Sequence, residues 1–214
     1  MKPFSDRLKS ELEKPLPGTG IQLEMAPPDR LLMNFPRGPG HKTRVAAVLV
    51  LLYPAKGTIF TVFMQRPDYK GVHSGQISFP GGRKEPSDTD LIETALREAR
   101  EEIGADPSKI SVIGTLTPLF IPVSDTLVTP VVGWTNEKPE FKLQSEEVVF
   151  LIEGELKRFF EPIIKITRFE VLGEMRDIKY FDYGGYVIWG ATAMILNELL
   201  VIIRDSGISL DAGL

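Results

Sequence analysis

Acidic side chains are concentrated between Gly82 and Gly104, where seven carboxylates and four basic groups give a local charge of −3. Glu98, Glu101 and Glu102 are three and four residues apart. On an α-helix with about 100° per residue they therefore fall within an arc of roughly 100°. Like charges at this spacing destabilise a helix by a few tenths of a kcal/mol per pair. A divalent cation would remove that repulsion and use the same oxygens as ligands.

A helix is predicted to carry these carboxylates. Residues 88–103 have helical periodicity, and Gly104 and Pro107 follow as stop signals. Apolar side chains fill the neighbouring arc and are predicted to face a sheet: Ile92, Ala95, Leu96, Ala99 and Ile103. Just before the helix, the Gly81-Gly82 pair allows backbone conformations closed to other residues and the close approach of a phosphate or an ion.

The alternative for the same residues is a solvated acidic helix face, with ion pairs to Arg97 and Arg100. That explanation is the usual one for an isolated pair of glutamates. The combination of Gly-Gly, Arg-Glu, Glu-Glu and a terminating glycine favours a site with chemistry.

Composition limits which ion such a site could hold. The chain of 214 residues is 43% hydrophobic and 25% charged, which is typical of a globular protein and favours one domain. It contains no cysteine, so disulfides, thiolate catalysis and sulfur-ligated zinc sites are excluded. Only His41 and His73 offer imidazole. An oxygen-rich site is therefore expected, with Mg²⁺ or Mn²⁺ as the cofactor.

The net charge, the first residues and the longest apolar run limit which partners and which cellular location are predicted. The formal net charge is −4, whereas proteins that coat nucleic acid or anionic membranes are normally basic, so no nucleic-acid and no membrane partner is predicted. The first residues mix charges and lack the apolar stretch of a signal peptide. The longest apolar run, residues 45–53, is too short to span a bilayer. A cytoplasmic location is therefore predicted.

The remaining elements form hairpin-like runs of strands interrupted by few helices, which predicts the α+β class with a mixed sheet. Residues 1–40 are predicted to be a loose, irregular N-terminal arm with a short helix at 4–14 and one helical turn near 30–33. The domain is predicted to span 41–206, followed by a tail at 207–214. Predicted strands are 45–53, 58–65, 76–79, 109–120, 127–134, 147–152, 163–172 and 177–183. Further helices are predicted at 155–160 and 187–204.

The acidic segment resembles the Nudix box, whose pattern is Gly, five residues, Glu, seven residues, then Arg-Glu-apolar-x-Glu-Glu-x-Gly-apolar. The run Arg97-Glu98-Ala99-Arg100-Glu101-Glu102-Ile103-Gly104 matches the second half at every fixed position. The gap from Gly82 to Arg97 is one residue longer than the general pattern. The first glutamate of the box therefore falls on Asp88 or Thr89, depending on where the gap is placed.

The longer gap is similar to that of coenzyme A pyrophosphatases, a subfamily that also carries an upstream motif. The segment from Arg66 through His73-Ser-Gly-Gln-Ile-Ser-Phe-Pro-Gly-Gly82 resembles this motif, with Lys70 where an apolar residue is common. The resemblance covers roughly residues 40–204.

The resemblance implies the Nudix fold, an α/β/α sandwich around a mixed sheet. It also implies metal-dependent hydrolysis of a diphosphate linkage in a nucleoside diphosphate derivative. The substrate would be coenzyme A or its thioesters, and the products 3′,5′-ADP and 4′-phosphopantetheine or its acyl form. The implied metal ligands are Glu98, Glu101 and Glu102. Catalytic roles are implied for Arg97, which would hold a glutamate by ion pairing, and for Glu101, Glu102 or Glu147, any of which could be the general base.

Four residues are predicted to bind the substrate: Arg66, His73, Gly81 and Gly82. For His73 a structural hydrogen-bonding role is an equal alternative. Two other functions stay open. One is a Nudix hydrolase for another small diphosphate, such as ADP-ribose, NADH or a dinucleotide. The other is a non-catalytic nucleotide-sensing domain, which the intact glutamate set argues against. The oligomeric state is also open, with a homodimer as one option.

Overall fold

The computed structural model describes residues 3–27, 42–67, 75–161, 163–171 and 174–211. Within these ranges the chain forms four helices, α1 (Phe4–Leu12), α2 (Thr19–Leu23), α3 (Leu91–Ile103) and α4 (Gly190–Ser206). The strands are β1 (Arg44–Ala55), β2 (Thr58–Gln65), β3 (Ile77–Ser78), β4 (Gly81–Arg83), β5 (Ser111–Thr115), β6 (Leu119–Ile121), β7 (Thr126–Trp134), β8 (Phe150–Glu155), β9 (Ile164–Val171), β10 (Glu174–Tyr183) and β11 (Tyr186–Trp189). Short 3-10 turns lie at Pro107–Lys109, Pro122–Ser124 and Leu156–Phe160. No helix in the described ranges is long and apolar enough to cross a membrane.

Strand β1 is the centre of an eight-stranded mixed sheet. It pairs in parallel with β7 and antiparallel with β2 and β4. Strands β3 and β8 extend the sheet from β2, and β5 and β6 extend it from β7. The other three strands form a separate antiparallel sheet in the order β11-β10-β9. The near-continuous apolar run of β1 is explained by this position, because helices cover both faces of the strand.

The two faces of the sheet carry separate hydrophobic clusters. Alternate side chains of β1 such as Leu49 and Leu51 pack with Ala95 and Ala99 of α3. The intervening side chains, among them Leu52, pack on the other face with α4. Helices on both sides of a mixed sheet confirm the predicted sandwich and the α+β class.

The N-terminal segment packs against this domain, although a loose arm was expected. Leu8 and Leu12 of α1 are buried in the α4-side cluster. Helix α2, which the sequence did not predict, brings Gly18 and Gln22 to Glu198, a fully buried carboxylate on α4. Glu198 accepts hydrogen bonds from Gly18 N at 3.1 Å and from Gln22 Nε2 at 2.9 Å, and two more from Thr117. The turn expected near residues 30–33 lies outside the described residues.

Several predicted boundaries were wrong. The single strand at 109–120 is instead β5 and β6, and Pro118, which lies between them, has no N–H for a ladder. The strand expected at 147–152 begins at Phe150, because Glu147 lies in a turn. The last helix begins at Gly190, since residues 187–189 pair with β10. Ile92 of α3 is 37% exposed and does not join the core.

Candidate functional site

Glu102 is the most buried carboxylate on the helix that carries the acidic cluster. Its side chain is 2% exposed, and its Oε2 accepts a hydrogen bond from Gly81 N at 2.7 Å. The Arg66 guanidinium lies 3.4 Å from the other oxygen and also donates to the Gly81 carbonyl. Burial raises the pKa of the Glu102 carboxyl to about 8, against the opposing effects of Arg66 and the Gly81 N–H; the charges of Glu98 and Glu147 add to the rise.

Glu98 lies one turn earlier on α3, against the second glycine of the pair. A Cβ placed on Gly82 would come within 2.4 Å of the Glu98 carboxylate, so only glycine leaves room for this side chain in its observed position. Burial raises the pKa of Glu98, the neighbouring Arg97 lowers it, and Glu101 and Glu147 raise it further. Strand β4 thus places its two glycines against two carboxylates of α3.

Arg97 is bound on several sides by carboxylates. Its guanidinium contacts the buried Asp88 through Nε at 2.9 Å and Nη2 at 3.1 Å, and its Nη1 lies 2.9 Å from Glu98 and 3.0 Å from Glu101. Its Nη2 also donates to the Arg83 carbonyl. Hydrogen bonds from Arg97 are the main reason that the pKa of Asp88 is far below its usual range. Among the two positions left open for the first carboxylate of the box, Asp88 is the one that pairs with Arg97.

The start of α3 explains how Asp88 is held. Asp90 is the N-cap and accepts from Glu93 N at 2.8 Å, while Asp88 accepts from Glu85 N and from Thr94 Oγ at 2.8 and 2.9 Å. The helix ends at Gly104, which has φ +69° and so adopts the left-handed conformation that glycine tolerates best. Both ends of α3 are therefore fixed by local sequence, which sets the rotation of its acidic face.

A loop after β7 brings Glu147 close to the α3 carboxylates. Within this loop Lys142 N donates to the Ile103 carbonyl and Gln144 N to the Glu102 carbonyl, each at 2.9 Å, so the loop satisfies carbonyls at the end of the helix. Glu147 N then donates to the Gln144 carbonyl. Although its side chain is exposed, Glu147 is near enough to raise the pKa of both Glu98 and Glu102.

A cavity of about 760 Å³ opens beside this cluster, on the α4 face of the sheet. Gly81, Gly82 and Arg66 belong to its wall and also touch the α3 carboxylates. The floor comes from β1 and β7, and α4 contributes Thr192 and Ile195. A small molecule bound here would reach the carboxylate cluster along the Gly81-Gly82 strand.

The donor set of this cluster fits a hard divalent cation. All of its ligating groups are carboxylate oxygens, which Mg²⁺ and Mn²⁺ prefer, and the glycines leave space in front of them. Over the described ranges no three acidic or histidine side chains already converge at coordinating distance. Arg97 holds Glu98 and Glu101, and Gly81 holds Glu102. Ion binding would therefore require Glu98 and Glu101 to turn from the guanidinium.

The predicted site residues are brought together with one exception. Glu98, Glu101, Glu102 and Arg97 lie on one face of α3, and Arg66, Gly81, Gly82 and Glu147 surround it. His73 lies outside the described residues. The cavity wall also contains Lys42, Arg44 and Arg83, none of which was predicted from the sequence to belong to a site.

Known proteins are similar to this chain over most of its length. A NUDIX domain model matches residues 42–159, more than half of the chain. The Nudix hydrolase NudL of Pectobacterium atrosepticum is 36% identical over 194 residues, which cover 87% of this chain and 93% of that protein. The chain belongs to the Nudix hydrolase family.

Other Nudix proteins show how far the similarity extends. The chloroplastic Nudix hydrolase 22 of Arabidopsis thaliana is 32% identical over 91% of this chain, which spans only 63% of the plant protein. Among solved structures, the MutT/nudix family protein from Enterococcus faecalis aligns with a TM-score of 0.51 and 14% identity, covering 87% of this chain and 73% of that one. This structural likeness confirms the Nudix fold predicted from the box.

Proposed function

We propose that this Nudix hydrolase cleaves the diphosphate linkage of coenzyme A or its thioesters, releasing 3′,5′-ADP and 4′-phosphopantetheine or its acyl form. The observation that carries the proposal is the contact of Gly81 and Gly82 with the carboxylates of Glu102 and Glu98 at the wall of the cavity. The longer gap before Arg97 and the segment from Arg66 to Gly82 support coenzyme A as the substrate.

In this mechanism Glu98, Glu101 and Glu102 would hold Mg²⁺ or Mn²⁺. Such an ion would neutralise the negative charge on the diphosphate oxygens and lower the pKa of a bound water. The Gly81 N–H and Arg66 orient Glu102. Asp88 holds the Arg97 guanidinium in place when Glu98 and Glu101 leave it to bind the ion. Glu102 is thus held in place before an ion binds, whereas Glu98 and Glu101 must first turn away from Arg97.

The general base would be a carboxylate that accepts a proton from the attacking water. Glu101, half exposed, and Glu147, on the loop beyond the helix, are both open to solvent, while Glu102 is buried. Each can be tested by comparing pH–rate profiles of its Gln variant with that of the wild type. Gly81, Gly82, Arg66 and His73 would contact the substrate, and a cytoplasmic location and a homodimer are retained as predictions.

The decisive experiment is hydrolysis of a panel of diphosphates with Mg²⁺ or Mn²⁺: coenzyme A, ADP-ribose, NADH and a diadenosine polyphosphate. Phosphate release coupled to phosphatase gives kcat/KM for each. We expect coenzyme A to have the highest value and EDTA to abolish all turnover. If ADP-ribose or a dinucleotide were preferred, the hydrolase assignment would stand and coenzyme A would be rejected. Nucleotide binding without turnover of any of them would instead identify a sensing domain.

A further inference from the structure

The cavity has a basic end that the proposed chemistry at the carboxylates does not use. Lys42, Arg44 and Arg83 all belong to its wall. Among the described residues none of these three side chains forms a salt bridge, whereas Arg66 in the same wall pairs with Glu102. Cations without a carboxylate partner in a concave surface attract anions more strongly than cations spread over a convex one.

Strand register shows where this end lies. Val48 pairs with Gly81, and Ala46 pairs with Arg83, so the wall runs along β1 away from the glycines. Arg44, Ala46 and Val48 project to the same side of the sheet, because alternate residues of a strand share a face. Arg44 is four residues from Val48, a separation of roughly 13 Å along the strand. Arg44 therefore lies away from the glycines, and Arg83, opposite Ala46, lies between Arg44 and the glycines.

The wall also has apolar residues, among them Phe79, Ile121 and Val123. Ile121 is level with Arg44, because both pair with Thr126 of β7. One carboxylate, Asp125, is present among the described residues of the wall; its carbonyl accepts a hydrogen bond from Arg44 N, so it lies at the basic end, and it already takes part in a further interaction. Gly81 and Gly82, which touch the α3 carboxylates, thus lie at one end of the wall, and Arg44 lies toward the other end. Such an order suits an elongated ligand with two separate anionic groups.

We propose that Lys42, Arg44 and Arg83 form a second anion subsite, which binds a phosphate group separate from the diphosphate that is cleaved. This inference rests on the proposed function for the position of the diphosphate at the α3 carboxylates. The ribose 3′-phosphate of coenzyme A is a group of this kind, and the long lysine and arginine side chains reach from the strand toward it. The subsite would therefore select substrates that carry an extra phosphate.

The test compares coenzyme A with dephospho-coenzyme A, which differ only in that phosphate. We expect the wild type to prefer coenzyme A by roughly tenfold or more in kcat/KM, mainly through KM, as the loss of one charge-assisted hydrogen bond implies. Lys42→Gln and Arg44→Gln should each reduce this preference while leaving kinetics on dephospho-coenzyme A unchanged. Arg204→Gln, at an exposed cation on α4 outside the cavity wall, is the matched control and should keep the full preference.

Two results would overturn the subsite. If the variants lost activity equally on both substrates, the cations would bind the scissile diphosphate or support the fold. If the wild type did not discriminate between the two substrates, the subsite would not bind the ribose 3′-phosphate. The proposed hydrolase function would be unaffected.

Calorimetry in EDTA separates the two proposals without turnover. We expect 3′,5′-ADP to bind the wild type more tightly than 5′-AMP, and Arg44→Gln to remove the difference. If coenzyme A were not hydrolysed but this difference were found, the proposed function would fail and the subsite would remain. Equal binding of the two nucleotides would reject the subsite.

Discussion

Replacing Glu102 by Gln should stabilise the metal-free protein at pH 8 and leave its stability unchanged at pH 5. The carboxyl is 2% exposed, and burial raises its pKa to about 8 from 4.5. Between these values the folded state retains a proton that the unfolded chain has lost. Stability therefore falls as pH rises through this window and levels off above pH 8.

The magnitude follows from the width of that window. Each pH unit corresponds to about 1.4 kcal/mol, so the carboxyl costs up to roughly 4 kcal/mol between pH 5 and pH 8. Glutamine keeps an acceptor for the Gly81 N–H but loses the ion pair with Arg66, which lies at 3.4 Å and offsets part of the gain. We expect a net gain of about 1–3 kcal/mol at pH 8, or roughly 3–10 °C in Tm for a domain of this size.

Thermal melts in EDTA at pH 5, 6, 7 and 8 measure this effect directly. Glu101→Gln is the matched control, because it makes the same change on the same helix at a side chain that is 49% exposed. Its Tm difference from the wild type should stay within about 2 °C at every pH. With Mg²⁺ present, Glu102→Gln should lower turnover on the order of a hundredfold, since a proposed ligand loses its charge.

The reasoning would be refuted by a Tm difference that is the same at every pH, or by a variant less stable than wild type at pH 8 in EDTA. Wild-type activity of Glu102→Gln at saturating Mg²⁺ would separately reject Glu102 as a ligand.

Three further substitutions test the surroundings of the site. Gly82→Ala should lower kcat/KM by tenfold or more in the hydrolysis assay, because the new Cβ would displace the Glu98 carboxylate. The control is Gly20→Ala, which should leave activity unchanged because its Cβ would meet nothing within 4 Å. Arg97→Lys keeps the charge but cannot form the forked bonds, so turnover should fall by roughly tenfold at an unchanged pH optimum. Glu198→Gln should destabilise the fold by about 2–4 kcal/mol in denaturant unfolding, because a buried carboxylate loses charge-assisted bonds, with specific activity retained below the melting temperature.

Much of the fold was predictable because its signals are local. The apolar run of β1, the β1–β2 hairpin and the glycine that ends α3 are each encoded within a few residues, and all three are present in the structure. The start of α3 was predicted at residue 88, whereas Asp90 caps a helix that begins at Leu91. The common face of Glu98, Glu101 and Glu102 follows from helical spacing alone. The predicted boundaries of helices and strands were wrong where strand pairing overrode the local preference of the sequence. Residues 187–189, for example, were predicted to be helical but pair with β10 as a strand.

The arrangement of the site depends on contacts between residues far apart in the sequence. Burial of Glu102 against Gly81 and the approach of Glu147 to the α3 carboxylates need the sheet, the helix and the later loop together. No periodicity places Arg44 and Arg83 in the wall of the same cavity. The sequence by itself determined which residues could bind a metal, since residue type and helical spacing suffice for that. Only the tertiary structure decided the partners of these residues and the raised pKa of Glu98 and Glu102, because burial and electrostatic interaction depend on distances that packing sets.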